Sequence, residues 1–344
     1  MNKKYNIPYW KKFYRSRGLS DEIISIYLPY IKKLQKNNAP VIFEFEHLSK
    51  LLGLKRAELS KIVNSPESFH RKFTIPKKKG GQREIVSPYP SLLHCQKWIY
   101  RNILLPQPIH DSAHGFVPNR SIFTYASMHL SKKALLKMDL KDFFPSISIN
   151  WVICYFSSLG YANNVSFYLA SLCCYKGHLS QGSSTSPYLT NILLKGLDKR
   201  LQKLSTTYQL IYSRYADDLT FSGKYIPHSY IEIVNACIVD YGLEVNEDKT
   251  RLHTKPGQRI VTGLSISGDE LKLPRKTKRE LKQEIHYIKT FGYISHISKN
   301  KISNPYYLES LIGKVNFWLQ AEPDNLFAKD SLNHLLEIKR SALS

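Results

Sequence analysis

The stretch YSRYADDLTF, residues 212–221, sets Asp217 and Asp218 side by side between two runs with strand-like composition. Adjacent ionised carboxylates repel, and apolar flanks raise the cost of desolvating them. The pair therefore needs a proton, a cationic partner or a bound metal ion. Neighbouring side chains diverge along a strand, so Asp217 and Asp218 need not act together, and a carboxylate from another strand can complete a site. The run ALLKMDLKDFFP, 134–145, supplies one. Its alternation puts Ala134, Leu136, Met138 and Leu140 on one face and Lys137 and Asp139 on the other. If the two strands lie side by side, Asp139 converges with Asp217. Mg²⁺ takes one or two carboxylates plus phosphates and water, and two such ions about 3.5–4 Å apart clamp the attacking and leaving oxygens of phosphoryl transfer.

The charge balance narrows the partner. Lys and Arg number 50 against 27 Asp and Glu, a net charge of +23 over 344 residues. A polyanion that releases counterions on binding is expected, with nucleic acid as the leading class. An anionic membrane surface competes, but no apolar run approaches the length of a span and the cations are spread along the chain. The N-terminal MNKKYNIPYWKKFYRSRG lacks the apolar core and cleavage site of a secretory signal, so a cytoplasmic location is expected. Cys95, Cys154, Cys173, Cys174 and Cys237 form no CxxC pair and are odd in number, which argues against a disulfide framework or a structural zinc site.

Periodicity and turn signals give an α+β chain. Residues 1–36 read as a basic N-terminal extension. Residues 46–63 read as a helical region interrupted near Gly53, with Leu48, Leu51, Leu52, Leu59 and Ile62 as packing residues rather than a DNA-reading helix-turn-helix. Residues 73–88 read as a β-hairpin with a basic, glycine-flexible tip. After the loop LSQGSSTSP, a helix is expected with Ser186 as N-cap, Pro187 in its first turn and Leu189, Ile192, Leu193, Gly196, Leu197 and Leu201 at helical spacing. Residues 228–241 read as a helix closed by Gly242, followed by a short strand LEV and a turn NEDK. From about residue 274 the chain turns basic and helical, with Leu281, Ile285 and Ile288 on one face.

Three ordered segments, KMDLKDFFP, QGSSTSP and YADD, follow the motif order of reverse transcriptases. With FTIPKKKGGQREI, AHGFVPNRSI, GLEVNEDKT and RIVTGLSI they resemble a bacterial retron reverse transcriptase over most of residues 70–268. The VTG at Val261–Gly263 is a retron-type hallmark. YASMH at 125–129 resembles the retron NAxxH element with Tyr125 in place of Asn, and Ser183–Ser184 stand where Ala-Pro is usual. The resemblance implies a right-hand polymerase: residues 37–138 mainly fingers with part of the palm, 139–268 mainly palm, and 269–344 a short, basic helical thumb. The palm is expected to be an antiparallel sheet backed by helices.

The resemblance also implies roles. Asp139 and Asp217 would bind two Mg²⁺ ions, with Asp218 nearby as a third member and the Leu140 carbonyl as an accessory ligand. Phe144 would be the aromatic gate that leaves no room for a 2′-hydroxyl on the incoming dNTP. Lys77, Lys78 and Arg83 could fold over the triphosphate, and Gln181 and Gly182 would pack beside the nascent base pair. Lys249 matches a family lysine near the active site. His129, Val261, Thr262 and Gly263 are RNA-binding candidates. So are Arg275, Lys276, Lys278, Arg279 and Lys282 along the thumb, with Tyr287 or Tyr293 stacking on exposed bases.

Retron enzymes use the 2′-hydroxyl of a guanosine in a partner structured non-coding RNA as primer, and copy part of that RNA into branched, RNA-linked single-stranded DNA (msDNA). Family members usually act in anti-phage defence with a separately encoded effector protein. Two alternatives stay open from sequence alone: a related intron-like or untemplated defence reverse transcriptase, and a non-catalytic RNA-binding scaffold.

Overall fold

A computed structural model of the chain describes residues 6–77, 80–255 and 257–341, so Lys78 at the hairpin tip lies outside the described residues. Helix α1 (Ile7–Ser16) starts at Asn6, whose side chain accepts from the Tyr9 amide, and α2 (Asp21–Lys36) starts at Ser20 with Asp21 and Glu22 in its first turn. Both starts satisfy amides that the helix leaves unpaired. Ile24, Ile31 and Leu34 of α2 are buried, and Leu34 joins the main core, so α2 packs onto the body of the protein. Helices α3 (Phe45–Leu52) and α4 (Arg56–Asn64) are separated by Gly53 at φ +68°. Leu48, Leu52, Leu59 and Ile62 are buried as expected, whereas Leu51 falls on the outer face and is 36% exposed.

Strands β1 (His70–Pro76) and β2 (Gln82–Pro88) form the basic hairpin. Helix α5 (Pro90–Ile99) follows, and α6 (Ile122–Ser127) opens with a capping box between Ser121 and Thr124. The next elements are β3 (Ala134–Asp139), α7 (Ile149–Leu159), α8 (Asn163–Cys173), α9 (Ser186–Leu193) and α10 (Lys195–Thr207). They lead to β4 (Ile211–Tyr215), β5 (Asp218–Gly223), α11 (His228–Asp240) and β6 (Arg251–His253). The single helix expected after the QG loop is thus two, divided at Leu194, and Thr185 rather than Ser186 holds the cap position. The expected strand LEV reduces to one bridge between Val245 and Leu140, and NEDK forms a 3₁₀ turn.

The central sheet is antiparallel in the order β4-β5-β3-β6. One face, with Leu136, Met138, Tyr212, Leu219 and Phe221, packs into the main core. From the other face Leu135 enters a second core with Tyr125, Val261 and Leu264. That core continues into the C-terminal helices α12 (Arg275–Phe291), α13 (Tyr293–Lys299), α14 (Tyr307–Ala321) and α15 (Leu326–Ser341), beyond the small hairpin β7 (Ile260–Val261) and β8 (Leu264–Ser265). Leu281, Ile285 and Ile288 of α12 pack there with Leu311, Val315 and Trp318 of α14. Cys95, Cys173, Cys174 and Cys237 are buried free thiols and Cys154 is exposed. Among the described residues no helix is long and apolar enough to cross a membrane.

One buried ion pair ties the sheet to its helical backing. Arg214 on β4 faces the core, where its guanidinium donates to both oxygens of Asp198 on α10 at 2.8 and 2.7 Å. Both side chains are fully buried, and Tyr212 donates its hydroxyl to the same carboxylate at 2.8 Å. The remaining Arg214 nitrogen donates to the carbonyl of Ala216, immediately before Asp217. Asp198→Asn would leave the guanidinium charge buried without its counter-ion, and is expected to cost about 3–5 kcal/mol of unfolding free energy. Denaturant unfolding of the variant measures this; a loss below about 1 kcal/mol, the scale of a surface pair, would show that the pair does not anchor the hairpin.

Candidate active site

The β3–β5 register sets Asp139 directly opposite Asp218, and the Leu140 amide donates to the Asp217 carbonyl at 3.0 Å. Asp217 lies in the turn between β4 and β5, so two strand ends and one turn bring the three carboxylates together. Asp139 is 7% exposed. Burial, then the charges of Asp139 and Asp218, push Asp217 up to about 6. Burial also raises Asp218, against the opposing charge of Lys137. Lys249, from the 3₁₀ turn, donates to Asp139 Oδ1 at 2.6 Å. Burial works against its charge, but the Asp139 hydrogen bond and the charges of the three carboxylates hold its ammonium above the ordinary lysine range.

The turn is fixed from behind. Gly115 approaches it so closely that an added Cβ would lie 2.7 Å from the Ala216 amide nitrogen. Asn191 holds this loop by donating to the Gly115 carbonyl at 2.7 Å. Helix α6 clamps the other side: the Tyr125 hydroxyl donates to the Asp218 carbonyl at 3.2 Å and lies 2.6 Å from Thr220 Oγ1. His129 is wholly buried, with Nδ1 2.7 Å from Ser222 Oγ on β5 and Nε2 2.6 Å from Ser213 Oγ on β4. Both ring nitrogens are engaged inside the protein, so His129 does not reach RNA. It and Tyr125 brace the hairpin that carries Asp217 and Asp218.

The nucleotide-side residues divide by exposure. Lys77 and Arg83 are exposed on the β1–β2 hairpin. The hairpin joins the QG loop where the Val86 amide donates to the Gln181 carbonyl at 2.8 Å. Gly182, at φ +121°, lies against this strand, and an added Cβ would meet the Val86 carbonyl at 2.6 Å, so only glycine fits. Ser183 and Ser184, in place of Ala-Pro, hydrogen-bond the buried Gln96 side chain of α5. Of the two adjacent aromatics, Phe143 is the buried one and Phe144 keeps part of its ring accessible.

Among the RNA-side candidates, Val261 is buried in the second core and has no side chain to offer. Thr262 and Gly263 form the tight β7–β8 turn at φ +46° and +83°. Lys278 is taken by Glu322 at 2.7 Å and sits over the Trp318 ring, which corrects its assignment to RNA. Lys282 lies over the Phe327 ring, and Lys276 makes an exposed 3.9 Å pair with Glu280. Arg275 and Arg279 are exposed on α12. Tyr287 is 41% exposed, whereas Tyr293 stacks on Tyr307.

The residues present suit a divalent ion. Burial, then the charges of Asp139 and Asp218, push Asp217 up even with Lys249 nearby, and the Leu140 carbonyl accepts no hydrogen bond among the described residues. Among those residues no three carboxylate, imidazole or thiol groups form a ready-made cage. Mg²⁺ draws much of its shell from substrate phosphates and water. Because the folded-state pKa of Asp217 is raised, its favourable contribution is complete below about pH 4 and is lost as pH rises through about 6. In the absence of divalent ions Asp217→Asn is therefore expected to exceed the wild type in stability by about 1–3 kcal/mol near neutral pH, the gain vanishing toward pH 4. Melting curves across this range check it; a wild-type-to-variant difference independent of pH would contradict it.

The sequence has counterparts among known proteins. The family model described as reverse transcriptase (RNA-dependent DNA polymerase) matches residues 75–288. Retron Ec86 reverse transcriptase of Escherichia coli is 34% identical over 264 residues, covering 74% of this chain and 81% of that protein. Retron Mx65 reverse transcriptase of Myxococcus xanthus is 34% identical over 298 residues, covering 79% of this chain and 68% of that protein. An antiparallel sheet with carboxylates at its strand ends, in a chain matched over this span, is the palm of a right-hand polymerase, and the protein belongs to the retron reverse transcriptases, RNA-directed DNA polymerases.

Proposed function

We propose that the protein copies part of a partner structured RNA into branched, RNA-linked single-stranded DNA, starting from the 2′-hydroxyl of a guanosine in that RNA. The single observation that carries the reading is the register that puts Asp139 opposite Asp218, beside Asp217, in a chain similar to retron enzymes over most of its length. Asp139, Asp217 and the Leu140 carbonyl would hold two Mg²⁺ ions, with Asp218 beside them; when bound, the ions supply the positive charge that phosphoryl transfer requires. Lys249 must leave Asp139 Oδ1 for that oxygen to act as a ligand.

The chain's own groups set what is joined. The accessible face of Phe144 fills the space a 2′-hydroxyl would need, which selects dNTPs. Arg83 and Lys77 stand on a hairpin able to close over a triphosphate, where the guanidinium gives bidentate contacts as charge moves to pyrophosphate. Gln181 and Gly182 form the floor beside the new base pair. Thr262, Gly263, Arg275, Lys276, Arg279 and Lys282 line the RNA side, with Tyr287 available for stacking. The product would serve anti-phage defence through a separately encoded effector.

The reading is tested by expressing the chain with its native genomic flanks and running the co-purified nucleic acid before and after RNase and debranching treatment. A discrete single-stranded DNA that shifts on either treatment and is absent with Asp217→Asn is expected. Linear DNA of mixed length would assign a related reverse transcriptase instead, and RNA without DNA a binding scaffold. In primer extension, Phe144→Ala is expected to raise ribonucleotide incorporation relative to dNTPs by roughly tenfold or more; unchanged discrimination would remove Phe144 from the gate.

A further inference from the structure

Strand register reads the Asp139 face of the palm sheet row by row. Leu136 and Met138 of β3 and Leu252 of β6 pack into the main core, so Leu135, Lys137, Asp139, Arg251 and His253 turn to the opposite face. On this face Lys137 lies between Thr220 of β5 and Arg251 of β6, and Leu135 between Ser222 and His253. Over the β4–β5 half, Tyr125 and His129 satisfy Thr220, Ser213 and Ser222. On the β3–β6 half, Arg251 and His253 are exposed and Lys137 is half-buried.

Charge makes this half unusual. Lys137 and Arg251 are direct cross-strand partners, and like charges so placed are destabilising. Neither they nor His253 forms a salt bridge among the described residues. Burial, then the charges of Lys137, Arg259 and Arg251, hold His253 below the ordinary imidazole range. Alternate residues on a strand are about 7 Å apart and adjacent strands about 4.8 Å, so the row begins one step behind Asp139 and extends outward. A nucleic-acid strand whose reacting end sits at Asp139 and Asp217 has this neighbouring sheet within reach, where Arg251 is exposed at the β6 edge beside the half-buried Lys137.

We propose that Lys137, Arg251 and His253 form a binding row for the phosphodiester backbone of the strand being extended, just behind its reacting end. The proposal rests on the polymerase reading of Asp139 and Asp217. Phosphate oxygens would relieve the repulsion between Lys137 and Arg251, and the guanidinium offers a planar fork that matches them. His253 adds a hydrogen-bonding group at the outer end.

The test uses the full chain and an RNA template annealed to a DNA primer, with affinity measured by fluorescence anisotropy across a salt series and primer extension run in parallel. Arg251→Gln and Lys137→Gln are each expected to weaken binding and reduce the slope of log K against log salt by about 1, and the double variant by about 2. Lys61→Gln, an exposed cation on α4, should leave the slope unchanged. Arg251→Gln alters an exposed side chain, so its melting temperature should stay at or above the wild-type value. Wild-type slopes in both single variants and the double, with an enzyme that extends the primer, would overturn the row while leaving the polymerase reading intact. An equal loss in Lys61→Gln would also overturn it, by showing diffuse binding. A wild type that neither binds nor extends the primer would overturn the polymerase reading and the row with it.

Discussion

The pairing of β3 with β5 runs from Ala134 against Gly223 to Asp139 against Asp218. This ladder decides which side chains meet. A slip of one residue would turn Leu136 and Met138 out of the main core and Asp139 into it, and the buried apolar face forbids that. The hydrophobic pattern of two strands thereby fixes the position of an acidic cluster whose members repel one another. The Asp198–Arg214 pair and the Tyr125 and His129 contacts hold the same hairpin from opposite faces. Repulsion among the carboxylates thus acts on a frame over-determined on both sides, which lets the strained charge persist.

Much of this was legible in the sequence because it rests on period. Alternation in ALLKMD separated Asp139 from the apolar face, and the structure keeps that separation. The hairpin at 73–88 and the break at Gly53 followed from turn chemistry. The break at Leu194 did not, because the run keeps helical spacing on both sides of a break that tertiary packing imposes. The Asp198–Arg214 pair was also missed. Its signal was present: in YSRYADD, Arg214 shares the inward parity of Tyr212, and a cation at an inward position demands a buried anion.

Residue type misled where burial decides the role. His129 and Lys278 carry groups that commonly meet RNA, yet each is consumed by partners inside the protein. Val261 belongs to a hallmark tripeptide but serves the core under the β7–β8 turn. Conversely, Lys137 and Arg251 gain meaning only when register makes them neighbours. The sheet face then carries three clustered carboxylates at its end, met by Lys249, and the cations Lys137 and Arg251 side by side one row behind.

The central claim is that Asp139 and Asp217 create the divalent-cation site of a polymerase. Electron paramagnetic resonance of Mn²⁺ titrated into the full chain measures it without depending on turnover, template or priming. The account predicts a bound Mn²⁺ population that Mg²⁺ displaces and that Asp139→Asn and Asp217→Asn each abolish or strongly weaken. Equal Mn²⁺ binding by the wild type and both variants would contradict it.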